Sequence, residues 1–250
     1  SQYTIADTVL TMPVRIRRSD THVAVFSVPA AAAQRLIGYS GLRVCRYLPG
    51  RALAMLMLVR YHDGDLGQYH EFGTVIMVNP PGVTARGPRA LRSAAAFVHH
   101  LPVNQTFTLE AGRRIWGFPK VMADFTVHEK PAFGFSVMVQ RQLVADIQFK
   151  AGVPLPSALT ARPQVLTAYS HTDGVTREIP WKMSSSGMRV RLGGARLRLG
   201  DHPYAAELAT LGLPKRALAS QSSANVEWTF GDAHELSPQP RRSGHDQHRP

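Results

Sequence analysis

The sequence predicts a mainly β (α+β) fold, an antiparallel sheet closed or half-closed into a barrel with short flanking helices. Three observations predict it. Strand-length apolar runs recur along the whole chain, turn residues punctuate them, and the helical stretches are few and brief. With 250 residues and 44% apolar content, the chain can bury one sizeable core. One domain is expected over residues 1–235. The segment 236–250 is rich in Pro, Arg, Ser and His with little to bury, and reads as a disordered basic tail.

Val23 to Val28 reads as a strand. Pro29 then opens a short helix that Gly38 ends, because proline suits a first helical position and glycine the turn beyond the last. Ala52 to Tyr61 and Tyr69 to Val78 are strands joined by the turn segment Asp63-Gly64-Asp65-Leu66-Gly67. Phe97 to Leu101 is a further apolar run whose type the pattern leaves open. Asn104 is placed to cap a helix that runs to Ile115. Strands follow at Val121 to His128, Phe133 to Val139 and Leu143 to Phe149, with a tight turn at Arg141-Gln142. Later strands are read at Val165 to Ser170, Thr176 to Trp181, Met188 to Leu192 and Ala195 to Leu199. Gly193-Gly194 reads as a hairpin turn joining the last two. A short helix over His202 to Leu211 and a strand over Asn225 to Phe230 complete the domain.

The net charge is +12. The arginines are spread along the chain, and no zinc-finger spacing, basic heptad region or aromatic RNA-binding signature occurs, so no nucleic-acid partner is expected. The longest apolar run, Ala52 to Val59, is too short to span a bilayer, so no membrane is expected either. Ser1 to Ile5 lacks a signal-peptide pattern, and the single cysteine, Cys45, can form no internal disulfide. Both point to a cytoplasmic setting, with Cys45 as packing. There is no Gly-x-Gly-x-x-Gly, P-loop or Gly-x-Ser-x-Gly, so neither a nucleotide cofactor nor serine-hydrolase chemistry is indicated.

Lys120 is the residue of greatest chemical interest. The chain has five lysines against 24 arginines, and this one follows Trp116-Gly117-Phe118-Pro119. Arginine cannot act as an amine nucleophile, whereas a lysine that loses its proton can attack a ketone. Apolar neighbours favour the neutral amine by desolvation. The residues alone leave open that Lys120 is a solvated charge at the entry to a strand. Glu71, in Gly67-Gln-Tyr-His-Glu-Phe-Gly73, stands beside an apolar strand where half-burial would suit it to proton transfer; a solvent-facing strand carboxylate is equally compatible. His62, His70 and Glu71 could in principle gather around a metal, but no metal-binding spacing is present and none is expected. In the Gly193-Gly194 hairpin, Arg191 would face Arg196 and Arg189 would face Arg198, an arrangement of like charges that needs compensation.

The segment from Asn104 to Lys120 resembles the active-site segment of the acetoacetate decarboxylase-like family. There a Gly-Arg pair, here Gly112-Arg113, precedes an aromatic-Pro-Lys, here Phe118-Pro119-Lys120. Gly67 to Glu71 is similar to the family segment that carries an active-site glutamate. Asp173-Gly174 with Arg177, and Arg196 to His202, match later segments in the same order. The likeness covers roughly residues 20 to 230. It implies a cone-like antiparallel β-barrel with flanking helices, assembled as a homo-oligomer. It also implies Lys120 as Schiff-base nucleophile, Glu71 as general acid/base, and Arg113, Trp116 and Phe118 at the substrate. Three departures stand out. Val121 replaces a second lysine, no acid occurs at Met55-Leu56-Met57, and no arginine lies at Ser19-Asp20-Thr21-His22, although Arg17 and Arg18 are close.

The expected function is therefore a Schiff-base lyase on a small oxo-acid that needs no cofactor. Decarboxylation of a β-keto acid such as acetoacetate leads. An aldolase-dehydratase acting on a 2-oxo acid, or a non-catalytic binder that uses the barrel cavity, stands beside it.

Overall fold

The computed structural model describes residues 1–156 and 162–236. In chain order the strands are β1 (Gln2–Ile5), β2 (Thr8–Thr11), β3 (Val14–Pro29), β4 (Arg43–Val44), β5 (Arg51–Gly64), β6 (Tyr69–Asn79) and β7 (Ala95–His100). After helix α2 (Thr106–Trp116) come β8 (Asp124–His128), β9 (Gly134–Val139), β10 (Gln142–Phe149) and β11 (Val153–Pro154). β12 (Gln164–Thr172), β13 (Val175–Ser186), β14 (Arg189–Leu192), β15 (Ala195–Leu199), β16 (Ala219–Phe230) and β17 (His234–Glu235) follow. Helix α1 (Ala30–Leu36) succeeds β3, and α3 (Pro203–Thr210) precedes β16.

The main sheet closes on itself through β16-β3-β5-β6-β7-β12-β13 and back to β16, making a seven-stranded barrel. A second sheet, β15-β10-β9-β8, lies outside it. One departure from an all-antiparallel barrel appears: β7 and β12 run parallel, with Ala168 opposite Ala96. A further hairpin, β1–β2, has no counterpart in the sequence reading. None of the described helices is long and apolar enough to cross a membrane.

Strand alternation divides the apolar residues between two cores. On β5, Ala52, Ala54, Leu56 and Leu58 face outward into a cluster with Phe135, Val137, Val144 and Ile147 of the second sheet and Leu208 of α3. The intervening residues Met55, Met57, Val59 and Tyr61 face the barrel interior, with Val75, Val98, Trp116, Ile179 and Phe230. Cys45 is fully buried and free.

Gly193-Gly194 does not make a hairpin. β14 pairs with β16, so Arg189 faces Ser222 and Arg191 faces Ser220. β15 pairs with β10 in the other sheet, so Arg196 faces Gln148 and Arg198 faces Asp146. Both glycines have φ near +70°, at 66° and 78°, and carry the chain from one sheet to the other. A Cβ on Gly194 would lie 2.3 Å from Ser220 Oγ, so a side chain has no room there. Opposed arginines are avoided because each strand finds a long-range partner. The predicted strand from Val121 begins at Asp124, and the turn before β10 falls at Gln140-Arg141, both with positive φ. The described chain ends at Leu236, whose N–H donates to Thr176 O, 2.8 Å away. The expected tail from 237 onward lies outside the described residues.

His22 of β3 gives the fold a pH response. Its ring stacks on Phe133 with centroids 3.4 Å apart, and its Nδ1 has no hydrogen-bond partner. Burial lowers its pKa from 6.5 to about 4, outweighing the attraction of Asp20. The unfolded chain therefore takes up a proton below pH 6.5 that the folded chain refuses. Stability is expected to fall as pH drops from 6.5 to about 4, by at most about 3 kcal/mol from this group. Denaturant titrations across that range should show a shallower pH slope in His22→Phe, which keeps the stack; an unchanged slope would contradict it.

Candidate active site

Helix α2 carries Lys120 into the barrel. Its buried residues Thr108, Ala111, Gly112, Ile115 and Trp116 recur at helical spacing and form one face. Gln105, not Asn104, caps it, since the Gln105 side chain accepts from Thr108 N at 2.8 Å. Asn104 Oδ1 instead accepts from His70 N, 2.8 Å, tying the helix start to β6. Gly117, with φ 61° and ψ 30°, turns the chain back at the other end. Hydroxyls of Ser170 and Thr172 on β12 donate to the carbonyls of Trp116 and Gly117. Phe118 N donates to Gly112 O, and Val103 N to Val121 O. The backbone around Lys120 is thus bonded on both sides.

The Lys120 side chain is 3% exposed. Its stem crosses Gly112 so closely that a Cβ on that residue would sit 2.5 Å from Cε. Nζ donates to Thr108 Oγ1 at 2.9 Å, one helical turn below the glycine, and lies 2.8 Å from Glu71 Oε2. Glu71, 10% exposed, accepts from Tyr61 OH through Oε1 at 2.9 Å. Tyr61 stacks on Tyr69, whose ring lies 5.3 Å from Nζ. Burial and the neighbouring carboxylate push both phenol pKa values well above 10, so both stay protonated. A chain of polar groups results, Thr108–Lys120–Glu71–Tyr61, set in an apolar wall.

That wall surrounds a cavity of about 40 Å³. Met57, Val59, Val75, Phe118, Trp181 and Trp228 are among its lining, and Glu71 and Lys120 are the charged groups that reach it. A buried ammonium touching a carboxylate can pass a proton to it, and the neutral amine is then a nucleophile facing an enclosed space.

Of the residues singled out by sequence, Lys120 and Glu71 come together, and Trp116 and Phe118 line the cavity. Arg113 does not reach it. It projects from the exposed side of α2 because the residues facing the barrel are 108, 111, 112, 115 and 116. From there its Nε donates to Lys120 O at 2.8 Å, which holds the backbone of the lysine. Trp116 Nε1 is engaged by Gly231 O. His62, His70 and Glu71 do not assemble. His62 bonds Asp20, His70 approaches Asn104, and Glu71 points inward. Val121 packs in the outer core, so the position of the missing second lysine is turned away from the cavity. Thr108 and Tyr61 were not singled out by sequence. Tyr61 carries a readable signal, since it directly opposes Tyr69 on the β5–β6 hairpin and so shares the inner face with Glu71.

The chain is similar in sequence pattern and in fold to known proteins. The family model described as "Acetoacetate decarboxylase (ADC)" matches residues 5–235. An acetoacetate decarboxylase from Legionella pneumophila subsp. pneumophila str. Philadelphia 1 is similar with a TM-score of 0.64 and 16% identity, over 90% of this chain and 87% of that one. The enduracididine biosynthesis enzyme MppR, in complex with pyruvate, is similar with a TM-score of 0.62 and 18% identity, over 91% and 92% of the two chains. An acetoacetate decarboxylase-like enzyme from Sphingomonas wittichii RW1 has a TM-score of 0.58 and 14% identity, over 92% and 95%. No curated protein matches the chain in sequence. With the family model spanning residues 5–235 and the fold similar over 90% of the chain, the chain belongs to the acetoacetate decarboxylase family.

Proposed function

We propose that this member of the family decarboxylates a small β-keto acid through an imine at Lys120. The observation that carries the reading is the 2.8 Å contact of Lys120 Nζ with Glu71 Oε2, inside a cavity whose described lining offers no other lysine and no arginine.

The steps follow from that contact. Glu71 takes a proton from the Lys120 ammonium, and the free amine attacks the ketone carbon. The carbinolamine loses water, with Glu71 returning the proton, and an iminium remains. The bond to the carboxylate carbon breaks, its electron pair flows into the iminium, and carbon dioxide leaves behind an enamine. Protonation at carbon, by water that Glu71 orients or by Glu71 after it has taken up a proton from solvent, gives the iminium of the product ketone, and water releases it. The net reaction consumes one proton per carboxylate lost.

The lining supports decarboxylation over carbon–carbon bond formation. A β-keto carboxylate that enters an apolar wall beside Glu71 is relieved of its charge when it departs as neutral carbon dioxide. A 2-oxo acid in an aldol cycle keeps its carboxylate throughout, and that anion would find no second cation here.

Carbon dioxide release from acetoacetate tests the reading. It is expected in the wild type and expected to fall by roughly a thousandfold or more in Lys120→Ala, with the fold checked by circular dichroism. Equal release from the variant would overturn it. So would no release from acetoacetate together with condensation of pyruvate with an aldehyde.

A further inference from the structure

β7 ends in two consecutive histidines, His99 and His100. Neighbours in a regular strand point to opposite faces. Here the β6–β7 register jumps: Thr74 opposes His100 while Val75 opposes Val98, so His99 is the extra residue of a bulge. A bulge re-aims side chains. Both imidazoles accordingly converge on one oxygen, Glu207 Oε2 of α3, with His99 Nε2 at 2.9 Å and His100 Nε2 at 2.8 Å. The three ligand-type atoms all lie within 4.8 Å of one another.

We propose that His99, His100 and Glu207 bind one divalent transition-metal ion, zinc by ligand type. Two imidazole nitrogens and one carboxylate oxygen suit such an ion and do not suit calcium or magnesium, which take oxygen ligands. Around a tetrahedral zinc with bonds of about 2.0–2.1 Å, the ligand atoms stand about 3.3 Å apart. The two separations from Glu207 Oε2 to the imidazole nitrogens need to open by about half an ångström, a movement available to Glu207, whose side chain is 42% exposed. Tyr39 OH lies 2.8 Å from His99 Nδ1 and can accept its N–H, leaving Nε2 free for the ion. His100 is fixed on its other side by the Tyr204 ring, with centroids 4.0 Å apart.

Exposure rises across the trio, from His99 at 6% through His100 at 25% to Glu207 at 42%. The open side gives an ion a way in and leaves a coordination position for water. The site is separate from the Lys120 cavity. Val98 and Leu101 flank the histidines and line that cavity, while the histidines point away from it toward α3. A bound ion would fasten α3 to the barrel strand that forms part of the cavity wall.

The full chain, stripped with a chelator and titrated with Co²⁺, tests this. One equivalent is expected to bind with visible d–d absorption, to be displaced by Zn²⁺, and to be lost in the double variant His99→Ala/His100→Ala. Zn²⁺ should also raise the Tm of the wild type. Tyr39→Phe should keep the stoichiometry and weaken affinity about 10–100-fold. No uptake by the wild type would overturn the proposal. An unchanged titration in the double variant would too, since it would assign binding to other histidines such as His245 and His248. Should the double variant fail to fold, Glu207→Gln and Tyr39→Phe decide, and wild-type affinity in both would overturn it.

Discussion

Glu71→Leu is expected to destabilise the protein by about 3–5 kcal/mol, and Lys120→Met by a comparable amount, because each leaves the other charge buried without its partner. The two groups are 10% and 3% exposed and touch at 2.8 Å, so solvent cannot take the partner's place. The double variant Lys120→Met/Glu71→Leu is expected to recover most of that loss, since an apolar pair of similar volume removes both desolvation costs together. Thr108 Oγ1 and Tyr61 OH would each lose one partner in it, which keeps the recovery from being complete. Denaturant unfolding of the four proteins forms a double-mutant cycle. Additive losses would mean that the pair is not buried and coupled as described. A contact that contributes little to net stability yet sits in an enclosed apolar space fits a site held for chemistry.

Gly112→Ala is expected to reduce turnover by about a hundredfold or more, although alanine at a helical position gains about 1 kcal/mol of intrinsic propensity over glycine. The added methyl would lie 2.5 Å from Lys120 Cε, 2.6 Å from Cδ and 3.2 Å from Nζ. The stem cannot clear that methyl without giving up the contacts of its tip with Thr108, Glu71 and Tyr69. The amine must shift along the cavity, away from Glu71 Oε2. Stability and kcat measured on one preparation would separate the two effects. Wild-type kcat in a stable Gly112→Ala protein would show that the lysine does not need its present position.

The same two residues show what the sequence could and could not reveal. Lys120 was legible because it is one of few lysines and follows a helix, a glycine and a proline, all local signals. Glu71 was legible from its place beside an apolar strand. Their contact, and its sharing with Thr108 and Tyr61, depends on barrel closure between β6 and the end of α2, which no local pattern encodes. Strand alternation does encode one part: Tyr61 and Tyr69 oppose each other across the hairpin, so both face inward with Glu71. The Gly193-Gly194 reading failed for the converse reason. Two glycines mark a reversal, but which strands then pair is decided by β16 and β10, far away in sequence. Arg113 was placed at the substrate by its neighbours in the motif, whereas the helix period turns it outward and leaves it holding the lysine carbonyl. The bulge that brings His99 and His100 to one side leaves no trace in the sequence, because it is a property of the β6–β7 register.

Borohydride reduction in the presence of acetoacetate, followed by peptide mass mapping, tests the central claim most directly. A single covalent adduct is expected on the peptide that contains Lys120, absent from Lys120→Ala. An adduct on another lysine, or none while carbon dioxide is being released, would contradict it.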